Sequence, residues 1–270
     1  MTKGETLLEL HDRTHILVLP NAWDAASARI FEDAGFPAVA TTSAGVANAL
    51  GYPDGEAVPR DEMIAAVWRI ARAVQVPVTA DLEAGYGSSP EDAAETARLA
   101  IEAGASGMNL EDDEQRGLIE PARHVDKIKA IKEAAARAGV TFVLNARTDV
   151  YLRGGKGPEA FDAAVARVRA YRAAGADCVF VPGVQEGDSI GRLVRAVDAP
   201  LNVLAGPQTP PVAELQRLGV ARVSIGSGAH RAAATLTATI ARELRDAGTF
   251  TFTSAAMTYQ ALNALMRRHG

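Results

Sequence analysis

The 270 residues are 48% hydrophobic with a net charge of −5 and a single cysteine. No apolar run is long enough to span a bilayer, and no lysine or arginine block stands apart from acidic neighbours, so no nucleic acid and no membrane surface is expected as a partner. One cysteine excludes an internal disulfide and a cysteine-built metal site, and Met1-Thr2-Lys3-Gly4-Glu5 lacks the apolar core of a signal peptide; the expected compartment is the cytoplasm.

Taken in chain order, eight short runs read as strands: Ile16-Leu17-Val18-Leu19, Ala38-Val39-Ala40-Thr41, Val76 to Ala80, Gly107-Met108-Asn109-Leu110, Phe142-Val143-Leu144-Asn145, Cys178-Val179-Phe180-Val181, Leu201-Asn202-Val203-Leu204 and Arg222-Val223-Ser224-Ile225. Alanine-rich amphipathic stretches lie between them, including Asp24 to Ala34, Asp61 to Val74, Pro90 to Ala103, Val125 to Ala138 and Pro158 to Ala174. Several end on a glycine suited to a left-handed C-cap: Gly35, Gly104, Gly139, Gly175 and Gly219. Strict alternation without a two-residue hairpin signal predicts a parallel sheet closed into a (β/α)8 TIM-type barrel, as one domain over residues 1–270. The rival, an open doubly wound sheet, wants a glycine-rich turn after the first strand, and Pro20-Asn21-Ala22-Trp23-Asp24 offers none. An eighth helix is read at about Ala229 to Ala247, and residues 248–270 form a helical extension that needs a surface to cover, either its own barrel or a neighbouring subunit.

Chemistry in such a barrel belongs at the C-terminal ends of the strands, and there the chain is polar. The ends carry Asn21, Trp23 and Asp24, then Thr41-Thr42-Ser43-Ala44-Gly45, then Asp81 and Glu83, then Asn109-Leu110-Glu111-Asp112-Asp113, then Asn145-Ala146-Arg147-Thr148-Asp149, while the seventh strand carries Asn202. Strand residues two apart project to one face, so Asp81 and Glu83 converge, and Gly85 and Gly87 let the chain turn. Two carboxylates about 4 Å apart repel by roughly 4 kcal/mol at an effective dielectric near 20, so such a pair keeps a shared proton or a cation. Oxygen-only ligands favour magnesium, with manganese as substitute. Arg147 is the cation of the cluster, placed to hold an anionic substrate together with the amides of Ser43, Ala44 and Gly45. Singly, Asp24, Asp112 or Asp149 would read as a helix cap, and Asp81 and Glu83 as the flank of a solvated loop.

These runs, from Leu19-Pro20-Asn21-Ala22-Trp23-Asp24 through Asp81 to Gly87, Leu110-Glu111-Asp112 and Asn145-Ala146-Arg147-Thr148-Asp149, resemble the isocitrate lyase and phosphoenolpyruvate mutase superfamily over nearly the whole chain. The resemblance implies a modified barrel whose last helix is exchanged between subunits of a homo-oligomer, binding magnesium and a small 2-oxo or 2-hydroxy carboxylate. It implies Asp81 as direct metal ligand, with Asp54, Glu83 and Glu111 holding metal-bound waters. Ser43, Ala44, Gly45 and Arg147 would hold the substrate carboxylate, and Trp23 would contact or underlie it.

The chain departs from the superfamily pattern after the fourth strand. The lyases carry a Lys-Lys-Cys-Gly-His type segment there, and the phosphonate enzymes a lysine with Asn-Ser; this chain has Asp112-Asp113-Glu114-Gln115-Arg116-Gly117-Leu118. The mutase histidine after the sixth strand is replaced in Val181-Pro182-Gly183. The leading expectation is a magnesium-dependent carbon–carbon lyase or decarboxylase-like enzyme, with Glu114, Gln115 and Arg116 the loop residues to test for acid–base work and for a second carboxylate. The alternatives are phosphonate chemistry at a P–C bond, a phosphate site at Ala205-Gly206-Pro207 and Gly226-Ser227-Gly228, and a 2-oxo acid binding protein without turnover. Cys178 reads as a small core residue, and His11, His15, His124, His230 and His269 as structural or solvated.

Overall fold

The computed structural model describes residues 1–114 and 117–267. Strand β1 runs over Leu17–Leu19 and resumes after Pro20 as Asn21–Ala22; β2 is Val39–Thr41, β3 Val78–Asp81, β4 Gly107–Glu111, β5 Val143–Arg147, β6 Cys178–Phe180, β7 Leu201–Leu204 and β8 Arg222–Ser224. Each falls on or extends one of the expected runs, apart from Asn21–Ala22, which lies beyond the first. All neighbours pair in parallel, and the first half of β1 pairs with β8 while its second half pairs with β2. Pro20 has no N–H and so cannot carry both ladders through, but its carbonyl accepts from the Ala40 amide at 2.8 Å. The strand changes partners at that residue, and the sheet rolls round to meet itself as a TIM-type barrel.

The helices that follow the strands are Ala25–Asp33, Arg60–Ala73, Pro90–Glu102, Pro121–Arg137, Gly157–Ala173, Gly187–Ala196, Val212–Leu218 and Gly228–Arg242. Asp24 and Ser89 each cap a helix by a reciprocal pair of bonds with the residue three positions on. The alanine content has a packing consequence: Ala93, Ala97 and Ala100 are fully buried in the main core, so the helix can approach its neighbours closely.

Three elements fall outside the eightfold alternation. Helix Lys3–Glu9 closes the bottom of the barrel, burying Leu7 among Leu17, Leu19, Ala38, Ala40 and Val143. Helix Ser43–Leu50 follows β2, capped by the Thr42 hydroxyl and ended by Gly51 at φ 90°. Asp113–Glu114 and Gly117–Leu118 pair as a short hairpin after β4.

The C-terminal region divides in two. Helix Gly228–Arg242 runs on as a π-helical turn over Glu243–Ala247 and buries none of its residues, leaving Leu236 59% exposed. The final helix, Tyr259–Arg267, returns to the barrel, where Leu265 is buried and its carbonyl accepts from Arg29 Nη1 at 2.9 Å. Among the described residues no helix is long and apolar enough to cross a membrane.

Candidate active site

The end of β3 is pinned from both sides. The Asp81 amide donates to the Thr41 hydroxyl at 2.8 Å, and its carboxylate accepts from the Ser43 amide at 3.0 Å and from Asn109 Nδ2 at 3.3 Å. Asn109 cannot turn its amide over, because its Oδ1 already accepts from Asn145 Nδ2 at 2.8 Å and Arg222 Nη2 at 3.3 Å. Glu83 follows, 4% exposed: Oε2 accepts from the Glu56 amide, and Oε1 is buried with no hydrogen-bond partner. Glu56 in turn accepts from the Tyr86 amide at 2.8 Å. Of the four non-glycine residues at positive φ among the described residues, three are these: Glu56, Glu83 and Tyr86. Backbone strain of this kind persists only where the surroundings over-determine it and concentrates at functional sites.

The electrostatics match. Burial, followed by the charges of Asp81 and Asp54, pushes the Glu83 carboxyl up to about 8. Asp54 is raised by burial first and then by Asp81, against the pull of a hydrogen bond from the Ser43 side chain. Burial also raises Glu111; Arg147 opposes this, and Asp149, Asp81 and Glu83 add to it. The sequence-predicted set Asp54, Asp81, Glu83 and Glu111 is therefore one mutually repelling group, and a buried carboxylate oxygen without a donor fits a cation or its bound water. The described residues contain no group of three acidic, histidine or cysteine side chains arranged as a direct cage. A divalent ion here would take one carboxylate directly and reach the others through water.

A stability prediction follows for the metal-free protein. The folded chain holds the Glu83 proton more tightly than the unfolded chain, so stability falls as pH rises from about 4.5 to about 8 and then levels, a total of a few kcal/mol at most. Urea unfolding between pH 5 and 9 should show this decline, and Glu83→Gln should make it shallower. Parallel curves for the two proteins would refute the assignment.

Arg147 ends β5 between two acids. Nη1 lies 2.6 Å from Glu111 Oε2, and Nε and Nη2 donate to Asp149 at 2.5 and 2.7 Å. Burial works against its charge, and Glu111 and Asp149 more than offset that, so the guanidinium pKa is raised. Asp149 is itself fixed by Asp112, which caps no helix. This fully buried carboxylate accepts from the Asp149 amide at 2.9 Å, the Thr148 hydroxyl at 2.7 Å, Tyr171 Oη at 2.6 Å and Arg167 Nη1 at 2.9 Å.

The hairpin after β4 closes on the same cluster. Glu56, Glu83, Glu111, Asp113, Glu114 and Arg153, with Gly55, line one cavity of about 110 Å³. Asp113 is gripped by Arg153, and Glu114 by Arg123 at 2.7 and 2.8 Å and Lys127 at 2.9 Å. Burial opposes it, yet the bonds from Lys127 and Arg123 hold the Glu114 carboxyl below its ordinary value, so Glu114 is a poor proton donor. Gln115 and Arg116 lie outside the described residues.

The other expected residues are placed as follows. Gly45 is packed so closely that a Cβ there would stand 2.9 Å from Trp23 Cβ, and its amide donates to Thr42 Oγ1 at 3.4 Å, while the Ser43 amide is taken by Asp81. Ala44 shares their helical turn. Trp23 meets the His230 ring edge-on at 5.3 Å. Asn202 is the second residue of β7, as the expected run places it, fully buried and donating to Ser224 Oγ at 3.3 Å. In the loops expected to hold phosphate, several amides are already in use: Gly226, with neighbouring Ile225, donates to Asn21 Oδ1 and Gly206 to Thr209 Oγ1. Burial pushes the Cys178 thiol up to about 12, and fully buried His124 down to about 3, so neither is poised to transfer a proton.

A family model described as phosphoenolpyruvate phosphomutase matches residues 7–245, which takes in every strand of the barrel and the acidic cluster. The chain belongs to that family. The phosphoenolpyruvate phosphomutase family relatives include an uncharacterised Mycobacterium tuberculosis protein, 37% identical over 88% of each chain. A 2,3-dimethylmalate lyase of Eubacterium barkeri is 32% identical over 81% of this chain and 78% of its own. A Burkholderia cenocepacia crystal structure, described only as a lyase or mutase, superposes with a TM-score of 0.91 at 42% identity, covering 97% of this chain and 95% of that one. With lyases and mutases both in the family, the fourth-strand loop of this member gains importance. Glu56, Tyr86, Lys127 and Arg153, which pack around the cluster, have no strand-end position to mark them in the sequence; the one available signal was Tyr86 between two turn glycines, an aromatic that a solvated loop does not need.

Proposed function

We propose that this family member is a magnesium-dependent enzyme that cleaves a carbon–carbon bond beside a small 2-oxo or 2-hydroxy carboxylate, leaving an enolate. The observation that carries the reading is the buried, unpartnered Oε1 of Glu83 beside Asp81, in a cluster where burial and neighbouring negative charge raise Asp54, Glu83 and Glu111. Asp81 would hold the ion, with Asp54, Glu83 and Glu111 orienting its waters; manganese is the natural substitute. The ion, when bound, supplies a Lewis acid for negative charge developing on a substrate oxygen. Arg147 uses three of its five N–H donors on Glu111 and Asp149, which leaves two for a substrate carboxylate. The first turn of helix Ser43–Leu50, with the Ala44 amide, would meet the same carboxylate, over the Trp23 ring. Glu114, ionised and gripped, is read as a holder of the loop rather than the proton-moving group, and acid–base work falls to the segment holding Arg116 or to water.

The test is a panel of 2-oxo and 2-hydroxy di- and tricarboxylates, oxaloacetate and 2,3-dimethylmalate included, with and without magnesium. Magnesium-dependent release of a 2-oxo acid is expected. Cleavage of phosphonopyruvate seen by phosphorus NMR would replace this reading with P–C chemistry, and tight binding without turnover would replace it with a binding protein.

The same proposal includes a cytoplasmic homo-oligomer. A fifteen-residue helix that buries nothing and its π-helical continuation, with Leu236 and Leu244 exposed at 59% and 43%, need a covering surface, and exchange of the C-terminal region between subunits supplies it. Light scattering should give a dimer or tetramer, and Leu236→Glu with Leu244→Glu should lower the mass toward the monomer. A monomeric wild type would end this part of the reading.

A further inference from the structure

Behind the acidic cluster stands an amine to which the chemistry above gives no role. Lys127 lies in the second turn of helix Pro121–Arg137 and is fully buried. Its Nζ donates to the Ala84 carbonyl at 3.0 Å, the Gly87 carbonyl at 2.8 Å and Glu114 Oε1 at 2.9 Å. An ammonium has three donors, and here each has an acceptor. None of the three belongs to the lysine's own helix. Two are in the turn after β3, and the third is in the hairpin after β4. Arg123, four residues earlier on the same helix face, repeats the pattern: Nη2 donates to the Ser88 carbonyl at 3.0 Å and to both oxygens of Glu114.

The turn so gripped is the strained one. The Ala84 and Gly87 carbonyls bracket Gly85 and Tyr86, both at positive φ, and follow directly on Glu83, also at positive φ. On its other side Glu83 is tied to the barrel, since its carbonyl accepts from the Glu111 amide at 2.9 Å. A left-handed glutamate persists only while its surroundings hold it. Downstream, the Thr96 hydroxyl donates to the Gly85 carbonyl at 2.8 Å and the Tyr86 amide to Glu56, and Lys127 Nζ holds the carbonyls on either side and is the group that also reaches the hairpin.

We infer that Lys127 is a positioning residue: it sets the shape of the turn that aims the Glu83 carboxylate into the site, and it couples that turn to the hairpin bearing Glu114. The coupling stands on these contacts alone; only the consequence for a bound cation rests on the function proposed above.

The experiment uses the full chain with Lys127→Met, Lys127→Arg and Glu114→Gln, read by hydrogen–deuterium exchange and by Mn²⁺ affinity from electron paramagnetic resonance. Lys127→Met is expected to speed exchange at residues 84–88 and 112–114 by about tenfold or more while the barrel strands keep their protection, and to weaken Mn²⁺ binding by roughly 10- to 100-fold, as loss of a group that orients a ligand does. Lys127→Arg should recover part of both effects. Glu114→Gln should loosen 112–114 and leave 84–88 protected; it and Lys127→Arg carry the test if Lys127→Met does not fold. Uniform acceleration across the chain, no change in either segment, or loosened segments with unaltered Mn²⁺ affinity would each overturn the assignment. If the wild type binds no Mn²⁺, the metal reading has failed, and exchange alone decides for or against Lys127.

Discussion

Asp81→Ala is expected to reduce Mn²⁺ affinity by roughly a hundredfold or more and turnover by about 10²–10³, the scale on which catalytic electrostatic groups act. The Asp81 carboxylate accepts from the Ser43 amide and Asn109 Nδ2, donors on either side that aim it. Its charge is also the second cause of the rise at Glu83, after burial. Truncation should therefore act in two directions. It leaves two buried donors unpaired, a cost of about 1–3 kcal/mol each, and it relieves repulsion on Glu83, whose pKa should move back toward the ordinary carboxylate value. Electron paramagnetic resonance and a magnesium titration of activity read the first effect; the pH dependence of urea unfolding reads the second. Wild-type Mn²⁺ affinity in Asp81→Ala would remove this residue from the site.

Arg147→Met should destabilise the protein by about 3–5 kcal/mol near neutral pH. The size follows from what is left behind rather than from what is removed. Glu111 and Asp149 flank the guanidinium at 2.6 and 2.5 Å and are largely buried, so without it both carboxylates lose their counter-charge. Protonation offers them an escape, and the deficit should accordingly shrink as pH falls from 7 toward 5. Arg147→Lys keeps the charge but loses the fork that serves two carboxylates at once, and should fall between the two proteins. Urea unfolding at both pH values checks the series. A loss below about 1 kcal/mol at pH 7 would show that Arg147 is not the buried counter-ion these distances describe.

The parts of this molecule legible in the chain were those with local causes. Gly35, Gly104, Gly139, Gly175 and Gly219, read as helix C-caps, all have positive φ. The eight strands fell on their β-branched runs because a strand buried on both faces leaves an unmistakable apolar block between turn residues. Asp81, Glu83, Glu111 and Arg147 were expected to converge by one rule, that strand ends in a barrel point to one face, and the structure brings them together. Helix Ser43–Leu50 was not found, since despite three alanines it is only eight residues long with Gly45 in its first turn, too short to form alone, and is held by its Thr42 cap and close packing on Trp23.

Asn202 shows where that rule stops: it stands at the second residue of its strand, as its run implies, and the structure buries it fully against Ser224 rather than at the strand's polar end. Glu114 shows a second limit. As a loop acid after β4 it looked available for proton transfer, and only the approach of helix Pro121–Arg137 brings Lys127 and Arg123 onto it. Residues far apart in the chain pair according to packing, which no local pattern records.

The sequence by itself determined the barrel, its direction and the acidic ring at one end, because strand periodicity, caps and the placement of carboxylates depend on neighbours within a few positions. Tertiary structure alone decided that β1 changes partners at Pro20, that Glu56 and Tyr86 join Glu83 in a strained turn, and that a buried lysine holds that turn to the fourth-strand hairpin. Those outcomes depend on which donor comes within about 3 Å of which acceptor across the fold, and only closure of the barrel sets that distance.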